Sequence, residues 1–103
     1  MKKEEFIFTK DKTQFSLSMD LRGRVDSINA PILQRKLNEA ISSGVINIIL
    51  NMKRVEFLSS AGMRAILQSY KTLARTNGTL GIEEPSEEVK KVLGMAALKE
   101  LMV

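Results

Sequence analysis

The most regular alternation of apolar and polar positions lies near the amino terminus, over residues 15–21. A period of two is typical of a strand with one buried face. We expect this strand to pair with residues 6–9, with Asp11 and Lys12 in the polar connection between the two. The pattern therefore predicts an antiparallel hairpin. The apolar face of its second strand comprises Phe15, Leu17, Met19 and Leu21.

A helical period replaces this alternation after Asp26. Apolar residues then recur three and four positions apart, Pro31 lies near the first turn and Gly44 follows the last. These signals predict a helix over residues 29–43. Its apolar face comprises Leu33, Leu37, Ala40 and Ile41.

Residues 45–50 form a run that is β-branched and almost continuously apolar. Such a run is typical of a central strand that is covered on both faces. Because it follows a helix, we expect a parallel crossover from the hairpin to this strand.

Two more helices, with a strand between them, complete the predicted elements. The second helix begins within residues 59–62 and closes at Asn77 and Gly78, and residues 79–82 form the strand. Ser86 caps the third helix and Gly94 ends it, while residues 97–103 are too few to classify. The apolar faces comprise Met63, Ile66, Leu67, Tyr70, Leu73 and Ala74 in the second helix, and Val89, Val92 and Leu93 in the third.

The order ββαβαβα predicts an α/β fold with a small mixed β-sheet of four to five strands, an amino-terminal antiparallel hairpin, and three or more helices packed on it. A chain of 103 residues is long enough for one hydrophobic core and too short for two, so we expect a single domain over residues 1–103. Function in such sheets sits in the loops that leave the carboxyl ends of strands. Here that rule indicates residues 23–29 and 55–62.

Composition removes several classes of function. With no Cys and no His, the chain lacks thiolates and imidazoles, so we expect no enzyme, no cofactor and no metal site. No apolar stretch has the length of a signal peptide or a membrane span, which predicts a cytoplasmic protein without a membrane partner. The net charge of +4 comes from scattered basic residues, a pattern that favours a mixed solvated surface over direct contact with nucleic acid. The sign of the charge is compatible with an acidic protein partner.

Two adjacent serines, Ser59 and Ser60, stand at the start of the second helix. From the residues alone, a helix cap is the favoured role, because Ser is a preferred N-cap and Gly62 permits close packing in the first turn. A phosphate-binding loop lacks its repeated glycines and its Lys, and a serine nucleophile lacks a His.

The run VEFLSSAGMRAILQSYK, residues 55–71, resembles the signature of the STAS domain, specifically that of bacterial anti-sigma factor antagonists. Residues 23–26 resemble the family's Gly-x-x-Asp loop, residues 48–51 its central strand, and residues 89–93 its third helix. The similarity spans residues 15–101 and implies the STAS fold.

The resemblance implies regulation by partner switching. An unphosphorylated member binds an anti-sigma factor, which is usually also a serine kinase of histidine-kinase-like ATPase fold, and so frees a sigma factor. Phosphorylation of one serine ends that binding, and a metal-dependent serine phosphatase restores it. With Gly62 as anchor, the family's phosphoacceptor falls on Ser60, while Ser59 stands where the family has Asp and remains the alternative acceptor.

The resemblance also implies a partner-binding surface. For three of its residues a structural role stays open beside the functional one: a turn for Asp26, the core for Met63 and a solvated surface for Arg64. The predicted surface comprises Asp26, Ser59, Ser60, Gly62, Met63 and Arg64.

Two other functions stay open. The chain could serve as a STAS scaffold in a signalling or transporter complex, with Ser60 acting only as a helix cap. A small nucleotide-binding protein is the alternative from another class.

Overall fold

A computed structural model of the chain describes residues 5–95 and Leu101. Within these residues the elements follow the predicted order ββαβαβα. They are β1 (Ile7–Lys12), β2 (Ser16–Val25), α1 (Ala30–Ser42), β3 (Asn47–Leu58), α2 (Ser60–Ala74), β4 (Thr79–Glu83) and α3 (Glu87–Met95).

The four strands form one mixed sheet in the order β1-β2-β3-β4. β1 pairs antiparallel with β2, and β2, β3 and β4 run parallel to one another. The predicted α/β class, amino-terminal hairpin and parallel crossovers are confirmed.

The hairpin differs in detail from the prediction, because β1 continues through Asp11 and Lys12 instead of turning there. The turn lies at residues 13–15, where the Thr13 hydroxyl accepts from the Ser16 amide at 3.1 Å. Phe15, which we expected on the buried face, precedes β2 and is 54% exposed. The prediction is wrong there because alternation alone does not mark where a strand begins.

β3 is twice as long as the apolar run that predicted it. It spans Asn47–Leu58, so residues 55–58, predicted as loop, are the end of the strand. Two register shifts between β2 and β3 accommodate the added length, one of them beside Gly23, whose φ of +77° suits a bulge. The prediction that both faces of this strand are buried is confirmed only in part. Ile48 and Leu50 are fully buried, whereas Ile49 on the opposite face is half-buried.

Helices α1 and α2 pack against each other, and the predicted face of α1 is buried at Leu33, Leu37 and Ala40. The buried face of α2 differs from the prediction, since Leu67 and Tyr70 are half-buried and Ala74 is exposed. Small residues take their place, because they let α1 come close: the Gln34 amide donates to the Ser69 hydroxyl at 3.3 Å. The buried residues of α2 are Gly62, Met63, Ala65, Ile66, Ser69 and Leu73.

Helix α3 begins as predicted, because the Ser86 hydroxyl accepts from the Val89 amide at 3.2 Å. Gly94 lies inside the helix, which reaches Met95, so the predicted end is wrong by one residue. Of residues 97–103 only Leu101 is among the described residues, and it is buried. None of the three described helices has the length and apolar composition needed to cross a bilayer.

Candidate functional site

Strands β2 and β3 end side by side, and the two predicted functional loops meet there. Val25 and Leu58 are the last register partners, and the Ser59 amide donates to the Val25 carbonyl at 2.9 Å. Both loops are shorter than predicted: residues 23–25 belong to β2, and Ser59 alone separates β3 from α2. The site is therefore a rigid edge and not a pair of long loops.

The two serines lie in different environments. Ser59 has an extended backbone, is half-buried, and its hydroxyl accepts from the Gly62 amide at 3.1 Å, so it is the N-cap of α2. Ser60 is the first helical residue and is exposed, and its hydroxyl has no hydrogen-bond partner within residues 5–95. The capping role considered for Ser60 therefore belongs to Ser59, because an N-cap must precede the helix.

Gly62 lets the first turn of α2 approach the end of β2. A Cβ added at Gly62 would stand 2.7 Å from Cγ1 of Val25 and 3.0 Å from Cδ1 of Leu58. Distances this short require the neighbours to move, so the residue is glycine for reasons of space. Gly62 is itself buried and cannot offer a side chain to a partner.

Asp26 organises the turn between β2 and α1. Its Oδ1 accepts from the amides of Ile28 at 3.0 Å and Asn29 at 3.1 Å, while its Oδ2 lies 3.8 Å from Nε of Arg24. Asn29 completes the turn, since its Oδ1 accepts from the Asp26 amide and its Nδ2 donates to the Arg24 carbonyl. The structural role considered for Asp26 is thus present in the structure.

Met63 and Arg64 differ in exposure. Met63 is 6% exposed and belongs to the core, which is the structural role considered for it. Arg64 is exposed, one helical turn beyond Ser60. The exposed or half-buried members of the predicted surface are Asp26, Ser59, Ser60 and Arg64.

Ile28 was missed from the sequence, although it stands out at this edge. Its side chain is 65% exposed, directly beside the Asp26 turn. The sequence feature that could have identified Ile28 is an isoleucine in a short polar loop, where it fits neither the period of a strand nor that of a helix. Next to the edge, a groove of about 340 Å³ runs between α1 and α2. Its lining residues are Ala30, Pro31, Gln34, Ala61, Arg64, Ala65 and Gln68.

The electrostatics of the edge favour an anion at Ser60. The first turn of α2 contains no acidic residue, so its backbone N–H groups carry the uncompensated positive end of the helix dipole. Among the residues that the structure describes, no group of three His, Cys, Asp or Glu side chains could hold a metal ion. The chemistry that the arrangement offers is an exposed hydroxyl on a folded helix start.

Comparison with known proteins identifies the class. The family model of the STAS domain matches residues 9–102, and this chain belongs to the STAS domain family. The mixed sheet with its amino-terminal hairpin and three helices is the STAS fold, as predicted.

Relatives narrow the comparison further. The chain is 33% identical over 84 residues to BtrV of Bordetella bronchiseptica, which carries the name of an anti-sigma factor antagonist, with 82% of this chain and 72% of that protein covered. It is 26% identical over 87 residues to the anti-sigma F factor antagonist of Paenibacillus polymyxa, covering 84% of this chain and 74% of that protein.

Solved structures agree with these relatives. The anti-sigma factor antagonist SpoIIAA in its unphosphorylated form superposes with a TM-score of 0.86 at 26% identity, covering 94% of this chain and 85% of that one. The phosphorylated form of the Bacillus SpoIIAA has a TM-score of 0.78 at 23% identity, covering 94% and 88%, and shares the fold.

Proposed function

We propose that this protein is an anti-sigma factor antagonist that works by partner switching. Unphosphorylated, it binds an anti-sigma factor and so frees a sigma factor, and phosphorylation of Ser60 ends the binding. The protein is a regulator that undergoes modification and catalyses nothing itself. Support comes from the names of its relatives and from the likeness to SpoIIAA.

The observation that carries the assignment of Ser60 is the asymmetry of the two serines. The Ser59 amide donates to the Val25 carbonyl and the Ser59 hydroxyl accepts from the Gly62 amide, so modifying this hydroxyl would disturb the cap of α2. Ser60 is exposed, and its hydroxyl is unoccupied among the described residues. A kinase can reach and modify the second hydroxyl without breaking the helix cap.

The fold tolerates a phosphate at Ser60. A phosphoserine adds about −1.5 to −2 charges, and the positive end of a helix favours such an anion by about 0.3 to 1 kcal/mol. Burying the same charge against a partner shaped for a hydroxyl costs several kcal/mol, and about 1.4 kcal/mol changes affinity tenfold. Phosphorylation should therefore release the partner and leave the domain folded.

Two protein partners follow from this mechanism. One is an anti-sigma factor that is also a serine kinase of histidine-kinase-like ATPase fold, which brings its own ATP. The other is a metal-dependent serine phosphatase that restores binding. The surface that we propose for the anti-sigma factor comprises the half-buried Asp26 and the exposed Ile28, Ser60 and Arg64.

The test is to incubate the protein with the anti-sigma factor kinase of the same organism and ATP, and to map the phosphate by mass spectrometry. We expect phosphate on Ser60, loss of the complex on modification, constitutive binding by Ser60→Ala and weak binding by Ser60→Asp. Ser59→Ala is the matched control and should still accept phosphate, at reduced stability.

Three results would contradict the proposal. Phosphate on Ser59 alone would reassign the acceptor, and unchanged binding by the phosphorylated protein would remove the switch. Binding without any uptake of phosphate would favour the STAS scaffold instead.

A further inference from the structure

Helix α2 exposes one face along its whole length. From Ser60 to the C-cap Arg75, the exposed polar positions follow steps of four, four, three and four residues, which keeps them within an arc of about 80° and a length of about 22 Å. The exposed Ala74 adds about 40° at one side of this arc. The residues after Ser60 are basic or amide-bearing. We call Arg64, Gln68, Lys71 and Arg75 the α2 basic face.

Within residues 5–95, no acidic side chain forms an ion pair with these three cations. Helix α2 contains no Asp or Glu at all. The ion pairs within residues 5–95 engage other cations: Lys10, Arg22, Arg24 and Lys90. Charges on the surface of a domain are usually mixed in sign. A helix face with only positive charges is therefore unusual and attracts negatively charged groups.

The shape of this face also favours a partner. The groove between α1 and α2 begins beside Ala61 and passes Arg64 and Gln68. A second hollow of about 260 Å³ continues along the helix, lined by Arg64, Leu67, Gln68 and Lys71. Apolar floors beside cations suit a peptide that carries both acidic and apolar side chains.

We propose that the α2 basic face is a docking surface for an acidic segment of the partner protein. It continues directly from Ser60, so a partner that covers Ser60 reaches Arg64 on the same side of the same helix. The identity of that partner as the anti-sigma factor rests on the proposed function, whereas its acidic character rests on the charges of α2. Charge complementarity of this kind raises association rates and selects among partners.

A protein segment fits this face better than nucleic acid. The face offers three cations over one helix and no aromatic side chain for stacking on a base. The remaining basic residues are scattered over other elements, and several are paired with carboxylates.

The position of Ser60 at the head of this face gives phosphorylation a second effect. A phosphoserine at Ser60 lies four residues before Arg64, which is the favourable order for an anion and a cation on one helix. The phosphate therefore competes for Arg64 with the partner's acidic segment. The phosphate also places its own negative charge beside that segment. The Ser60 end of the α2 basic face then repels the acidic segment that it attracted before.

The first experiment removes the charges and measures the anti-sigma factor complex at low and high salt. The variant carries Arg64→Gln, Lys71→Gln and Arg75→Gln, and its matched control carries Lys36→Gln, Lys53→Gln and Lys91→Gln, three exposed cations elsewhere. We expect the α2 variant to bind at least about tenfold more weakly at low salt, with a flatter salt dependence, and the control to stay within about twofold of wild type. Equal losses in both variants would overturn the proposal, and circular dichroism checks that both are folded.

The second experiment does not depend on the proposed function. A short fluorescein-labelled peptide of glutamate and leucine is titrated onto the wild-type protein, with amide chemical shifts as the readout. We expect the shifts to concentrate on residues 64–75 and to vanish in the α2 variant. Shifts elsewhere, or stronger binding of a short DNA duplex or of anionic lipid vesicles to the same amides, would overturn the proposal. If the peptide binds there and the anti-sigma factor does not, the proposed function fails and the docking surface stands.

Discussion

Helices α1 and α2 begin at the same edge of the sheet and do so in opposite ways. Before α1, the carboxylate of Asp26 and the amide of Asn29 both bond to backbone groups of the turn and of the end of β2, while Ser27 is exposed. The start of α2 occupies one hydroxyl, that of Ser59, and leaves the next, that of Ser60, exposed.

Because of this difference, the side chains that stabilise the fold at this edge are not the ones that are accessible to another protein. Polar groups before α1 hold the chain in place and leave Ile28 to face solvent. At α2 the two tasks fall on adjacent residues, so the hydroxyl that stabilises is not the hydroxyl that is free to react. Substitutions at this edge should therefore divide into those that cost stability and those that cost only binding.

The largest loss of stability should come from Gly62→Ala, which disturbs the contact between the first turn of α2 and the ends of β2 and β3. The new Cβ would stand 2.7 Å from Val25 Cγ1 and 3.2 Å from the Val25 carbonyl oxygen. Overpacking of this kind costs about 1 to 3 kcal/mol, measured by urea unfolding. The control is Gly94→Ala in α3, where a Cβ meets no described atom within 4 Å and should add about 0.5 to 1 kcal/mol. Equal stability of the two variants would mean that the close approach is not constraining.

Asp26→Ala should follow, because it removes the acceptor of two backbone amides in the turn before α1. We expect a loss of about 1 to 2 kcal/mol in the free energy of unfolding. Asp26→Asn keeps an oxygen in the same place and should recover most of the loss. If Asp26→Ala is as stable as wild type, the turn is held by Asn29 alone.

Ser59→Ala should cost about 1 kcal/mol, the usual value of an N-cap. Ser59→Asp restores a capping oxygen, so its stability should return to that of wild type. Thermal melting distinguishes the two. If Ser59→Asp melts at as low a temperature as Ser59→Ala, the Ser59 hydroxyl contributes to stability by more than its hydrogen bond to Gly62.

The smallest change should come from Ser60→Ala, within about 0.5 kcal/mol of wild type, as for an exposed position without partners. Ser60→Asp should raise stability by about 0.3 to 1 kcal/mol through the helix dipole. Both are read from the same urea curves as Ser59→Ala. A destabilisation by Ser60→Ala as large as that by Ser59→Ala would erase the distinction between the two serines.

Much of the fold could be predicted because its signals are local. Alternation predicted the hairpin, and Ser86 and Gly44 marked helix ends. The helical period predicted most of the buried face of α1 but only Met63, Ile66 and Leu73 of the buried face of α2. The length of β3 was underestimated because exposed charged residues beyond Asn51 interrupt its apolar pattern. Pairing with β2 continues the strand to Leu58.

The site was predicted by residue but not by role. Resemblance brought Asp26, Ser59, Ser60 and Arg64 together, and the structure places them at or beside one edge. Which serine caps the helix depends on the exact residue at which α2 begins. A sequence pattern does not fix a helix start to within one residue. Whether Met63 faces the core or a partner depends on the rotation of α2 about its axis, which the packing of α1 determines.

Ser60 lies inside the first turn of α2. The residue before it, Ser59, donates its amide to the Val25 carbonyl and so connects the start of this helix to β2. Under the proposed function, the kinase therefore meets Ser60 as part of the native domain and not as part of an extended peptide. A copy that has lost its fold would offer neither the surface that binds the anti-sigma factor nor the helix start that presents Ser60. Binding and modification would then depend on the same folded state, so an unfolded copy would take part in neither.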